Sequence, residues 1–207
     1  MRNLIVFVGM VLFFASCGAR SGNARQVEIS ACLEGVVING VRWATRNVDM
    51  AGTFAETPES FGMFFQWNRR KGWNATDREV EDWDNSIPLS DIWEEKNGPC
   101  PTGWRLPTRK EIENLLDVGY TWIVRNGVNG VLFGTVSNQI FLPAAGWRHF
   151  NHGALYHQGY VGVFGSSSSQ VGSNPIDIIN LHFTFDFLSN VINVHRTHGF
   201  NIRCVAK

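Results

Sequence analysis

Two hydrophobic periods alternate along the chain. After Thr108, Ile112, Leu115 and Leu116 recur at three- and four-residue intervals, which predicts a short helix with one apolar face. Thr108 followed three residues later by Glu111 is a capping box: hydroxyl and carboxylate satisfy the orphan backbone donors of the first turn, and Gly119 ends the helix. Elsewhere the apolar runs are short and strand-like. Val36-Val37-Ile38 and Val41-Arg42-Trp43-Ala44-Thr45 flank Asn39-Gly40, the strongest two-residue hairpin signal. The stretch Phe54 to Asn74 carries Phe61, Met63, Phe64, Phe65, Trp67 and Trp73 and reads as a strand-like aromatic segment with most rings in the core. Trp122-Ile123-Val124 and Val131-Leu132-Phe133 flank an Asn/Gly-rich turn, and Gln139 to Pro143 adds a further strand. Leu181 to Phe187 alternates strictly, with Leu181, Phe183, Phe185 and Phe187 on one face and outward-facing His182, Thr184 and Asp186 on the other. After Leu188 to Asn190 the chain returns through Val191 to Val205 as a last strand.

The N-terminus follows another rule. Arg2 precedes the apolar run Leu4 to Phe14, which is too short for a bilayer core that takes roughly 20 residues and reads as a secretory signal. Ala15-Ser16 before Cys17 resembles a lipobox, with Phe14 where leucine is more usual. Residues 1–17 are therefore predicted to be a lipoprotein signal peptide with Cys17 as the lipidation site, a plainly cleaved signal being the alternative. Residues 18–35 are small or polar without a period and read as a tether; residues 36–207 are long enough for one core. In an oxidising compartment Cys32, Cys100 and Cys204 remain. Bridging Cys100 to Cys204 would tie the chain's end to the segment before the capped helix, leaving Cys32 free; Cys32 replacing one of the two is the alternative.

Charge divides the chain. Formal net charge is zero, which gives no global argument for nucleic acid or for a membrane surface beyond the lipid anchor. Of the 18 acidic residues only Asp177 and Asp186 follow Asp117, whereas all 6 histidines fall between His149 and His198. The acidic stretch Asp77 to Glu95 could hold calcium through several carboxylates. It lacks EF-hand spacing, however, and Trp83 and Trp93 most simply pin a solvated loop to the body. His149-x-x-His152 and His195-x-x-His198 invite a zinc reading, but on a strand or loop such pairs face different ways, and no Glu follows the first His. No nucleophile turn, phosphate-cradling loop or basic aromatic stripe is present, so no enzyme activity, metal or cofactor is expected.

Four ordered segments resemble the Fibrobacter succinogenes major paralogous domain, a bacterial family of secreted and lipid-anchored proteins. They are Asn39-Gly40-Val41-Arg42-Trp43-Ala44-Thr45-Arg46-Asn47, Cys100-Pro101-Thr102-Gly103-Trp104-Arg105-Leu106-Pro107-Thr108, Leu142-Pro143-Ala144-Ala145-Gly146-Trp147-Arg148 and Gly199-Phe200-Asn201-Ile202-Arg203-Cys204-Val205. The family looks like a branch of the C-type lectin fold. The resemblance implies an α+β domain with short antiparallel strands, paired terminal strands, one or two helices and long irregular loops. Where the family commonly shows Tyr-Trp-Ser-Ser, this chain has Val163-Phe164-Gly165-Ser166-Ser167. The His, Phe, Asn, Thr and Ile mixture that follows resembles the variable region of retroelement-diversified proteins. The calcium triplets of sugar-binding lectins are missing: Ser173-Asn174-Pro175 lacks the carboxylate and Trp83-Asp84-Asn85 has another order. A formylglycine-generating-type oxidase would need cysteine chemistry in the C-terminal half, where only Cys204 stands.

Aromatic rings with polar tips, set among Ser, Gly and Asn, are the composition of paratopes. The candidate binding face is therefore Trp147, His149, Phe150, His152, Tyr156, His157, Tyr160 and Phe164, with His182, Thr184, Asp186, His195 and His198; about half of its aromatic members are expected to be buried. The expected function is non-covalent binding of a protein or glycan ligand by a monomeric, lipid-anchored envelope protein. A structural or fimbria-associated subunit is the runner-up, and a degenerate oxidase the third reading.

Overall fold

The last strand of the domain closes onto the hairpin made by the first two. A computed structural model describes residues 35–169, 177–189 and 194–207. The signal segment with Cys17, nearly all of the tether, Cys32, and Val191 of the last predicted strand lie outside the described residues. In chain order come β1 (Val36–Ile38), β2 (Val41–Trp43), β3 (Phe64–Phe65), β4 (Gly72–Trp73), β5 (Trp104–Arg105) and α1 (Arg109–Leu116). They are followed by β6 (Tyr120–Arg125), β7 (Val128–Thr135), β8 (Asn138–Pro143), β9 (Trp147–Arg148), β10 (Leu155–Tyr156) and β11 (Gly162–Ser169). The last are β12 (Asp177–Phe183), β13 (Leu188–Ser189), β14 (Val194–His195) and β15 (Val205–Ala206). Among the described residues, with 39% strand and 7% helix, the fold is mostly β with one α-helix, its strands spread over several small antiparallel sheets.

One sheet runs β1-β2-β15-β5, with Val205 opposite both Trp43 and Arg105. Asn39 and Gly40 turn the first hairpin with φ of 48° and 80°, the left-handed pair that a two-residue turn requires. Asn126 and Gly127 repeat the device between β6 and β7 in the sheet β6-β7-β8. Cys100 and Cys204 form a disulfide with Cα atoms 6.1 Å apart, so the pairing expected from their positions is present. It closes 104 residues and fastens β15 to the segment leading into β5.

The capping box of α1 is complete. Thr108 Oγ1 accepts from the Glu111 backbone N–H, and the Glu111 carboxylate accepts from the Thr108 N–H at 2.8 Å, a cap worth about 1 kcal/mol. Arg105 adds a two-pronged bond to the same carboxylate at 2.8 and 2.6 Å. Burial alone would raise the Glu111 pKa, but the bonds from Arg105 and Thr108 outweigh it and hold the carboxyl below its ordinary value. Ile112 and Leu115 are buried, in one core with Val131, Phe133, Ile140, Leu142, Phe164, Leu181 and Phe183. A second core joins Trp67, Trp93, Trp104, Val163, Ile178, Phe200, Ile202 and Cys204.

Three strand expectations need correction. Among its described residues the stretch Val191 to Val205 holds only β14 and the start of β15, with a turn at His195 to His198 between them. Phe54 to Asn74 has only the two-residue strands β3 and β4 in an otherwise irregular path, although Phe64, Phe65, Trp67 and Trp73 are all buried as expected. β12 stops at Phe183: the Thr184 N–H donates to Phe187 O at 2.7 Å and the Thr184 hydroxyl to Asp186 at 2.9 Å, closing a turn into β13. Alternation therefore continues in sequence through residues that are not strand. Phe185 is 73% exposed and Phe187 is exposed too, against the expectation that they share the face of buried Leu181 and Phe183.

Candidate binding surface

Two turns make the surface. The first joins β9 to β10, which pair through Arg148 with Leu155 and Trp147 with Tyr156. It is closed by the His149 N–H on Ala154 O and the Gly153 N–H on His149 O, both at 2.9 Å. The second spans His195 to His198, whose N–H donates back to His195 O at 2.9 Å. Reciprocal bonds between Arg148 and Gly199 (2.9 and 3.0 Å) set the turns side by side.

Arg148 holds the first turn from beneath. Its fully buried guanidinium donates to Gly153 O at 2.6 Å, to Asn74 O at 2.7 Å and to Asp77 O at 2.8 Å, and it lies over the Phe64 ring. Burial lowers its pKa, with the charge of Asp77 acting the other way. Carbonyl oxygens on three sides let a cation stay buried here without a bonded carboxylate. Trp83 locks the turn from the other side: its indole N–H donates to Phe150 O at 3.0 Å, and the Thr197 hydroxyl reaches the same oxygen at 3.0 Å. Gly153, at φ 68°, lies flat on that indole, where an added Cβ would stand 2.4 Å from the ring.

The rings above this base touch in sequence. His149 stacks on His152 at 4.3 Å and meets Phe150 at 4.4 Å, Tyr156 at 5.7 Å and His198 at 5.9 Å. Phe150 lies 5.2 Å from both His195 and His198. Trp147 stacks on His157 at 4.7 Å and on Tyr156 at 6.4 Å. Eight residues of the predicted face therefore form one shelf, on which Phe150, His152, Tyr156 and His157 are exposed. Burial pushes the His198 pKa down to about 4, outweighing the bond to His195 O that raises it, with lesser lowering from the neighbouring His149 and His195 charges. Burial and then His152 lower the His149 pKa, and burial lowers that of His182. The lowered values keep His149 and His198 neutral at neutral pH.

The remaining predicted residues lie elsewhere. Tyr160 is 74% exposed and lines an open groove of about 460 Å³ with Thr76, Arg78, Tyr156 and His157. Phe164, only 3% exposed, stacks on Phe183 in the core and offers nothing to a ligand. Thr184 and Asp186 bond to one another in the turn after β12. His182 is half-buried rather than outward-facing and lines a cavity of about 160 Å³ with Trp147, Val163, Val194, His198 and Phe200. Val163, Val194 and Phe200 escaped the sequence reading because they are ordinary apolar core letters. Arg148 escaped it as well, a lone arginine in a charge-poor stretch being the available signal; Trp83 was expected only to pin the acidic loop.

A groove of about 660 Å³ lies at the disulfide and shares no wall with the histidines. Of its charged lining, Arg105 pairs with Glu111, Lys207 with Glu95 and Glu94 with Lys96, while Arg70 donates to Gly98 O at 2.7 Å. Among the described residues no group of three His, Cys, Asp or Glu side chains is placed to hold a metal ion, and no helix is long and apolar enough to cross a membrane. Comparison with protein-family models, with curated proteins and with solved structures gave no match.

Proposed function

We propose that this chain is a lipid-anchored envelope protein with a C-type-lectin-like domain, which binds a protein or glycan ligand non-covalently through the His149 to His198 shelf. The observation that carries the reading is the continuity of rings: exposed Phe150, His152, Tyr156 and His157 and half-buried His149, His195 and His198 pack against one another over turns held by Arg148 and Trp83. Such rings have few rotatable bonds, so they give contact area at low entropic cost, and a rigid base prepays the ordering of the loops. The pairing of β15 with β2 of the first hairpin and the capped helix support the fold assignment, as do the four ordered sequence segments.

The test is array binding by the full chain beside a Phe150→Ser, His152→Ala, Tyr156→Ser variant, all three side chains being exposed. A ligand retained by the wild type and lost by the variant, with unchanged thermal unfolding, supports the proposal. A ligand bound equally by both rules out the shelf as the binding face.

A further inference from the structure

The cavity beside the shelf is more specific than the shelf itself. It measures about 160 Å³ and shares Trp147 and His198 with the ring cluster; Val163, Val194, Phe200 and His182 complete its walls. A dry apolar cavity of about 150 Å³ is known to admit benzene, so the space fits one six-membered aromatic ring.

Its two imidazoles carry opposite hydrogen-bonding roles. His198 Nδ1 lies 3.2 Å from His195 O, which places the proton on Nδ1 and leaves Nε2 as an acceptor. His182 Nδ1 is buried with no hydrogen-bond partner. An unmet lone pair is tolerated in a protein interior better than an unmet N–H, so the proton of neutral His182 sits on Nε2, making that atom the donor. Burial keeps both rings neutral near pH 7 and so preserves this donor and acceptor pair.

We propose that this cavity seats the phenol ring of a tyrosine side chain presented by a protein partner, its hydroxyl accepting from His182 Nε2–H and donating to His198 Nε2. A phenol has the one group that answers both imidazoles; a phenyl ring answers neither and an indole N–H only the acceptor. A hexose carries hydroxyls all around its ring and would leave most of them unpaired against Val163, Val194 and Phe200. The neighbouring exposed Phe150 and Tyr156 offer contact area that a free phenol could not use, and an anchor in a pocket ringed by such contacts is the usual layout of a protein interface.

This rests on the binding-surface reading and selects a protein ligand within it. The test is histidine-selective carbon NMR of the full chain titrated with p-cresol and with toluene. The expected result is saturable shifts at His182 and His198, with toluene at least tenfold weaker, and loss of both in a Val163→Phe variant that fills the cavity. Shifts confined to other histidines, or equal response to toluene, would overturn the proposal; the wild-type titration decides this even if Val163→Phe fails to fold. Failure here alongside ligand loss in the Phe150, His152, Tyr156 variant removes the tyrosine anchor alone. Saturable p-cresol binding alongside indifference of that variant removes the shelf alone.

Discussion

Acidification should unfold this protein through His198 more than through any surface group, and the effect can be sized. The ring is buried among Phe150, His149 and Phe200, and its pKa falls to about 4 from the ordinary 6.5. A group whose folded pKa is depressed binds its proton more readily in the unfolded chain. Its contribution is therefore complete above the ordinary value and is lost as pH falls toward the folded one. At about 1.36 kcal/mol per pKa unit, the loss is about 2 kcal/mol on going from about pH 7.5 to about pH 5, and about 3 kcal/mol by about pH 4. Against a domain stability of about 5–15 kcal/mol this is a large fraction. His149 and His182 are shifted in the same direction and steepen the wild-type profile further, so the comparison must be with a variant. His198→Gln keeps an amide donor for His195 O but cannot titrate. Urea unfolding followed by tryptophan fluorescence should show the two proteins' stabilities converging by about 2 kcal/mol between about pH 7.5 and about pH 5. Parallel pH profiles would refute the reasoning, because they would mean that His198 has the same pKa in the folded and the unfolded chain.

Two further changes act on the frame. Replacing both Cys100 and Cys204 by Ala frees a loop of 104 residues, for which chain entropy gives about 4 to 5 kcal/mol; a guanidinium midpoint shifted by less than about 1 kcal/mol would show the unfolded chain already compact. Arg148→Met leaves the carbonyls of Asn74, Asp77 and Gly153 without their donor and should lower stability by about 3 kcal/mol, with faster hydrogen exchange at Gly153 and Ala154. Unchanged exchange there would show that Trp83 alone holds the turn.

The parts of the fold that were legible in the sequence are those whose causes are local. Asn39-Gly40 makes its turn because two adjacent residues tolerate positive φ, and Thr108 caps its helix because Glu111 stands three positions on. Such causes span a few residues and leave their letters in order. The β6-β7-β8 sheet was legible for the same reason, its first turn being Asn126-Gly127. Phe185 and Phe187 show the limit. Their alternation matches a buried strand face, yet a backbone bond from Thr184 to Phe187 turns the chain, and no side-chain period registers a backbone bond.

The candidate site was half legible, and the division follows the same line. Rings that lie exposed in the shelf could be guessed from composition, since His and Tyr among Gly and Asn are unusual letters for a core. What makes them a surface is non-local: Arg148 reaching Asn74, which is 74 positions away, and Trp83 reaching Phe150 at 67. Either bond needs a partner chosen by the folded path, so neither has a spacing that a sequence could display. His182 carries the point furthest. As a letter it alternates with phenylalanines and reads as an outward polar residue; in the fold its Nδ1 is buried and unpaired beside a ring-sized cavity. A buried polar atom without a partner is a cost set by the folded surroundings, and no letter of the sequence announces it.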